Sequence, residues 1–135
     1  MSTFLLEIVT PERKVYAEQV SMIVARGVEG ELGILPNHIP LVTPLKIAVV
    51  TVKIQGSKDL SIAVNGGFME VRKDKVVILA ESAELPEQID VDRAKASKDR
   101  AEQRLKNAKQ EKIDFHRAEL ALQRALNRLG VSGRK

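Results

Sequence analysis

The 135-residue chain is 44% hydrophobic and 30% charged, enough apolar material for one small core and too much for a disordered chain. It has no Cys, no Trp and two His, which excludes disulfides, thiol catalysis and Cys-based zinc sites. The net charge of +4 is unevenly spread: residues 1–87 hold 9 basic and 11 acidic side chains, for −2, and residues 88–135 hold 13 and 7, for +6.

The chain opens Met1-Ser2-Thr3-Phe4-Leu5-Leu6-Glu7, without a basic leader, so no secretory signal is expected. β-Branched and aliphatic runs at 4–9, 20–25, 47–54, 60–64, 68–71 and 76–79 predict short strands of a β-sandwich. The longest uncharged stretch, residues 32–45, carries Pro36, Pro40 and Pro44, and a membrane helix needs about 20 mostly apolar residues, so a soluble chain is expected. Within 47–54, Ile47 and Val49 point one way and Val50, Val52 and Ile54 the other, as in a sheet covered on both faces. Asn65-Gly66-Gly67 supplies residues that tolerate positive φ and predicts a tight hairpin, and Arg72-Lys73-Asp74-Lys75 a weaker one.

The pattern changes at about residue 88. All five prolines lie at or before Pro86, and two stretches without Gly or Pro follow, 91–109 and 115–129. Asp90 and Asp114 are placed to cap them, and Gly130 is placed to end the second. The short polar link 110–113 predicts an antiparallel helical hairpin. Its packing faces are thin: Ala94, Ser97, Ala101, Leu105 and Ala108 on one helix, and Ala118, Ala121, Leu122, Ala125 and Leu129 on the other. Small residues bury little area, at about 25 cal/mol per Å². The hairpin is therefore expected to be less stable than the sheet and able to detach.

Arg93, Arg100 and Arg104 on the first helix, and Arg117, Arg124 and Arg128 on the second, share the spacing i, i+7, i+11. At about 100° per residue each set forms a straight stripe. Two facing stripes would clamp a polyanion, because the guanidinium fork bonds two phosphate oxygens at once and keeps its charge. A solvated basic face fits the same spacing, and the charge also suits an acidic protein surface or nucleic acid. A small basic nucleic-acid-binding module is the alternative reading. Single-strand recognition normally uses aromatic platforms, and only 3% of the chain is aromatic, so no nucleic-acid partner is expected. His38 and His116 have no second His or paired carboxylate at metal-ligand or catalytic spacing, which predicts no metal site and no catalytic residues. No GxxxxGK[ST] phosphate loop is present.

Gly30-Glu31-Leu32-Gly33-Ile34-Leu35-Pro36-Asn37-His38-Ile39-Pro40-Leu41-Val42, Gly66-Gly67-Phe68-Met69-Glu70-Val71 and Val76-Val77-Ile78-Leu79-Ala80 resemble the epsilon subunits of rotary ATP synthases. Ile89-Asp90-Val91-Asp92-Arg93-Ala94 resembles the ATP-binding pattern Ile/Leu-Asp-x-x-Arg-Ala of the bacillus-type members. The resemblance implies an N-terminal antiparallel β-sandwich (1–87) that binds the rotor, followed by a two-helix regulatory hairpin (88–135). It implies a non-catalytic subunit on the cytoplasmic face of the cell membrane, meeting the membrane only through partners: the gamma subunit, the c-ring, and the alpha and beta subunits. The hairpin would inhibit ATP hydrolysis when extended and bind ATP when folded. By matched position, the implied ATP contacts are Glu84, Ile89, Asp90, Arg93, Ala94, Arg100, Arg124 and Arg128, with Arg117 a weaker candidate. Rotor contacts are implied at Glu31 and His38. ATP is the implied bound ligand, and the resemblance leaves any Mg²⁺ requirement open. Ile89 would cover the base, the Asp90 carboxylate or the nearby N–H groups would meet its edge, and the arginines would take the phosphates.

Overall fold

A computed structural model describes residues 2–107 and 112–132. Its elements are β1 (Phe4–Val9), β2 (Lys14–Val20), β3 (Met22–Gly27), β4 (Gly30–Ile34), β5 (Leu41–Lys53), β6 (Leu60–Val71), β7 (Lys75–Ala80), β8 (Ala83–Glu84), a 3-10 turn (Pro86–Gln88), α1 (Val91–Asn107) and α2 (Lys112–Ser132). The strands hydrogen bond in the order β2-β1-β7-β6-β5-β3-β4, with β8 also paired to β6. Pairings are antiparallel except between β1 and β7, which run parallel.

β2 and β4 stand at opposite ends of this order, yet Val20 of β2 and Ile34 of β4 belong to one buried cluster with Leu6, Ile8, Ile23, Val52, Ile62, Met69 and Ile78. The sheet folds over on itself around that cluster, and the long β5 and β6 run through the turn. This is the expected sandwich.

Three local expectations are corrected. Asn65-Gly66-Gly67 is not a hairpin: β6 runs unbroken through it, pairing Leu45 with Gly67 and Ile47 with Asn65. Gly66 (φ 79°) and Gly67 (φ 119°) do use the left-handed region, but inside a strand, where the chain passes close to its neighbour. Gly130 does not end α2, which continues to Ser132 because Val131 is drawn under the hairpin into a small cluster with Ala63, Ile89 and Val49. Asp114 falls inside α2 rather than at its cap, since Lys112 and Ile113 are already helical. Three strands escaped expectation: β2, whose surface is mostly exposed and polar, the Gly-containing β4 and the two-residue β8. The turn at residues 72–75 is present, closed by Arg72 N–H donating to the Lys75 carbonyl at 2.8 Å.

The hairpin is folded against the sandwich. α2 lies on β5 and β6, and α1 packs on α2. Ala94 and Ala101 of α1 and Ala118 and Ala125 of α2 are buried, as the spacing predicts. Ala108 and the first half of the 110–113 link lie outside the described residues. Among the described residues, no helix is long and apolar enough to cross a membrane.

Candidate functional site

The antiparallel hairpin sets the first turns of α1 beside the last turns of α2, next to the end of the sheet at β8. A cleft of about 610 Å³ opens there, lined by Glu12, Glu84, Gln88, Asp90, Arg93, Ala94, Ser97, Arg100 and Arg128. Each residue has a local reason to be in place. Asp90 caps α1: its Oδ1 accepts the Arg93 N–H at 3.0 Å, and its carbonyl accepts the Ala94 N–H at 2.9 Å. Arg93 therefore projects from the first turn, and Arg100 follows two turns later on the same face. Arg100 Nη2 donates to Ser97 Oγ at 3.1 Å. Arg128 comes from α2, and its Nε donates to Glu84 Oε1 in a close ion pair that ties α2 to β8.

The structure thus joins Glu84, Asp90, Arg93, Ala94, Arg100 and Arg128 in one place. It does not bring in the remaining three. Ile89 is buried in the cluster with Ala63 and Val131 and does not line the cleft. Arg124 and Arg117 lie elsewhere along α2 and do not line it. The stripes meet only at the sheet end, because Arg104 lies 11 residues beyond Arg93, roughly 16 Å up the helix. Glu12, Gln88 and Ser97 were missed. Ser97 and Gln88 carry the signal of proximity to the motif, whereas Glu12 enters from a distant turn and has no sequence signal.

Chemically, three guanidinium groups in one open cleft suit an anion with several oxygens. Among the described residues, no group of three His, Asp or Glu side chains could hold a metal ion. Glu31 lies in β4 opposite Arg26, 3.9 Å away, and His38 follows in the loop with Nδ1 2.8 Å from the Ile39 carbonyl. Neither lines the cleft: Glu31 borders a separate groove with Arg26 and Asn127, and His38 lies in the same loop as exposed Leu35 and Ile39.

Residues 3–86 match the family described as ATP synthase, Delta/Epsilon chain, beta-sandwich domain, and residues 87–133 match the ATP synthase, Delta/Epsilon chain, long alpha-helix domain. The chain belongs to the ATP synthase delta/epsilon family. It is 59% identical over 134 residues to the ATP synthase epsilon chain of Halalkalibacterium halodurans, covering 99% of this chain and 100% of the relative. It is 60% identical to that of Alkalihalophilus pseudofirmus with the same coverage, and 54% identical to that of Bacillus mycoides over the full length of both. Its fold is similar to a chain in the Euglena gracilis mitochondrial ATP synthase OSCP/F1/c-ring structure, with a TM-score of 0.77 and 24% identity over 91% of this chain and 77% of that one. A chain from the Tetrahymena thermophila mitochondrial ATP synthase central stalk and c-ring is similar with a TM-score of 0.61, at 15% identity over 97% of both. At these identities the two structures speak for the fold of this delta/epsilon chain alone.

Proposed function

We propose that this chain is the epsilon subunit of a proton-translocating rotary ATP synthase: a non-catalytic coupling and regulatory subunit of the central stalk, held peripherally at the cytoplasmic face of the cell membrane. The sandwich links the gamma subunit and the c-ring, and Glu31 and His38, the latter in a loop with exposed Leu35 and Ile39, belong to that contact. The hairpin is regulatory. Folded, it binds ATP; extended into the catalytic head of alpha and beta subunits, it blocks ATP hydrolysis.

The observation that carries the ATP reading is the convergence of Arg93, Arg100 and Arg128 beside the Asp90 cap in a cleft of nucleotide size. ATP fits these groups: its phosphates meet the three guanidinium groups, and Asp90 and Gln88 offer acceptors and donors to a base edge. Ile89 supports the site through packing. The chain carries no GxxxxGK[ST] phosphate loop of a hydrolytic site, so the nucleotide is sensed rather than cleaved. Calorimetric titration of ATP into the full chain tests the proposal. Wild type is expected to bind with a preference for more phosphates and without hydrolysis, and Asp90→Ala with Arg93→Ala is expected to abolish binding while circular dichroism stays unchanged. Equal affinity in wild type and the double variant would overturn the assignment.

A further inference from the structure

The cleft is lined by three cations, Arg93, Arg100 and Arg128, and by three anions, Glu12, Glu84 and Asp90. Its formal lining charge is therefore zero, an unexpected balance for a site that receives a polyphosphate. The three acids are not equivalent. Glu84 is paired with Arg128, and Asp90 is committed to the N-terminus of α1, so the charge of each is largely answered. Glu12 has neither a hydrogen bond nor an ion pair among the described residues.

Glu12 also comes from a different part of the molecule. It sits in the turn between β1 and β2, closed by Thr10 N–H donating to the Arg13 carbonyl at 2.9 Å and by Arg13 N–H donating to Thr10 Oγ1 at 3.3 Å. Its main chain is thereby fixed to the sheet, whereas the three arginines ride on the hairpin. The carboxylate meets them only while the hairpin is docked.

We propose that Glu12 sets the affinity and the phosphate-number preference of this site, as an uncompensated carboxylate supplied by the sandwich that opposes phosphate-rich ligands. The inference deepens the nucleotide reading above and rests on it. Across a partly hydrated gap, a single unanswered charge changes the affinity for a polyphosphate by about fivefold. The effect grows with ligand charge, so ATP feels it more than AMP, and it shrinks as salt screens the gap. It also has a use: a regulatory site that fills at trace nucleotide cannot report a change in nucleotide level, and Glu12 keeps this one from filling early.

The test is calorimetry on the full chain and on Glu12→Gln, with ATP, AMP and inorganic tripolyphosphate as probes, at low and high salt. Glu12→Gln is expected to bind ATP and tripolyphosphate about fivefold tighter, with only about a twofold gain for AMP and a smaller gain at high salt. Glu29→Gln, on the exposed β3–β4 turn away from the cleft, is expected to match wild type. If wild type binds ATP and Glu12→Gln binds it equally or more weakly, the role given to Glu12 is wrong and the nucleotide site stands. If only tripolyphosphate binds, and binds tighter to Glu12→Gln, the role stands and the nucleotide reading falls. Binding of no probe by either chain overturns both.

Discussion

The side-chain amide of Asn127 in α2 donates to the main-chain carbonyl of Ala48 in β5 at 3.2 Å, joining the hairpin to the middle of the sheet. The same nitrogen lies 3.2 Å from the Val64 carbonyl and 3.5 Å from Asn65 Oδ1, and Asn65 in turn donates to Ser82 Oγ at 2.8 Å. The two small apolar faces could slide, but a buried amide sharing its protons among fixed acceptors cannot, so this contact selects one docked position. A buried polar group that loses its partner costs about 1–3 kcal/mol. Asn127→Ala is expected to weaken docking by about that amount. Hydrogen exchange checks it: amides in α1 and α2 should exchange faster while those of β1 to β7 stay as they are, and equal acceleration throughout would refute a latch confined to the hairpin.

Gly67 gives the sharpest packing prediction. A Cβ on it would lie 2.1 Å from the Leu79 carbonyl oxygen, a main-chain atom that cannot turn aside, and its φ of 119° adds backbone strain. Gly66, at φ 79°, has its nearest neighbour 3.8 Å away in the mobile end of Glu81. Gly67→Ala should therefore cost about 3 kcal/mol or more, and Gly66→Ala about 1–2 kcal/mol. Chemical denaturation of the two variants checks the order. A Gly67→Ala variant as stable as Gly66→Ala would show that β6 and β7 can separate freely at this point.

The same two glycines show what the sequence could and could not convey. Their tolerance of positive φ is legible, but a hairpin and a distorted strand interior use it alike, and the choice is made by β5, whose 13 residues keep pairing past them. Gly130 reads as a helix stop, yet burial of Val131 outweighs its helix propensity of about 1 kcal/mol. β2 was illegible because an outer strand with one wet face needs few apolar residues. In the site, the helical period correctly put Arg93 and Arg100 on one face. It could not say that docking at the α2 end would admit Arg128 and leave Arg117 and Arg124 outside, since that depends on how the hairpin sits on the sheet.

Glu7 makes the stability of the sandwich depend on acid. Its side chain is only 10% exposed and lies between Lys14 of β2, 2.6 Å away, and Lys75 of β7, so it ties together the strands on both sides of β1. The hydrogen bond from Lys14, followed by that from Lys75, holds its pKa at about 2, below the ordinary 4.5, against burial that pushes it upward. The folded form therefore favours the carboxylate more than the unfolded form does. The contribution is complete above about pH 4.5 and is lost as pH falls from there towards 2. Denaturant midpoints taken from about pH 6 down to about pH 2 should fall for wild type. Glu7→Gln should start lower and show a shallower decline; parallel curves would mean that other carboxylates carry the acid sensitivity.

The proposed inhibitory switch makes the last prediction. α1 has 17 residues and α2 has 21, and a continuous helix over residues 91–132 would reach about 60 Å, against about 30 Å for either helix alone. That reach is what an arm needs to run from the foot of a rotor into a catalytic head. Among the described residues, the docked hairpin meets the sheet through the Asn127 contacts, the Glu84–Arg128 pair and the small Ile89 cluster, a thin interface that allows exchange with an extended form. ATP shifts that exchange only through its preference for the docked form, which at a hundredfold excess over Kd contributes about 2.7 kcal/mol. Arg93→Ala should leave inhibition without ATP at the wild-type level and require more ATP to relieve it. A chain ending at Asn107, which lacks α2, should release hydrolysis at every ATP concentration. The measurement is ATP hydrolysis by the reconstituted catalytic complex with each chain, and equal rates with the full-length and shortened chains would remove the inhibitory role.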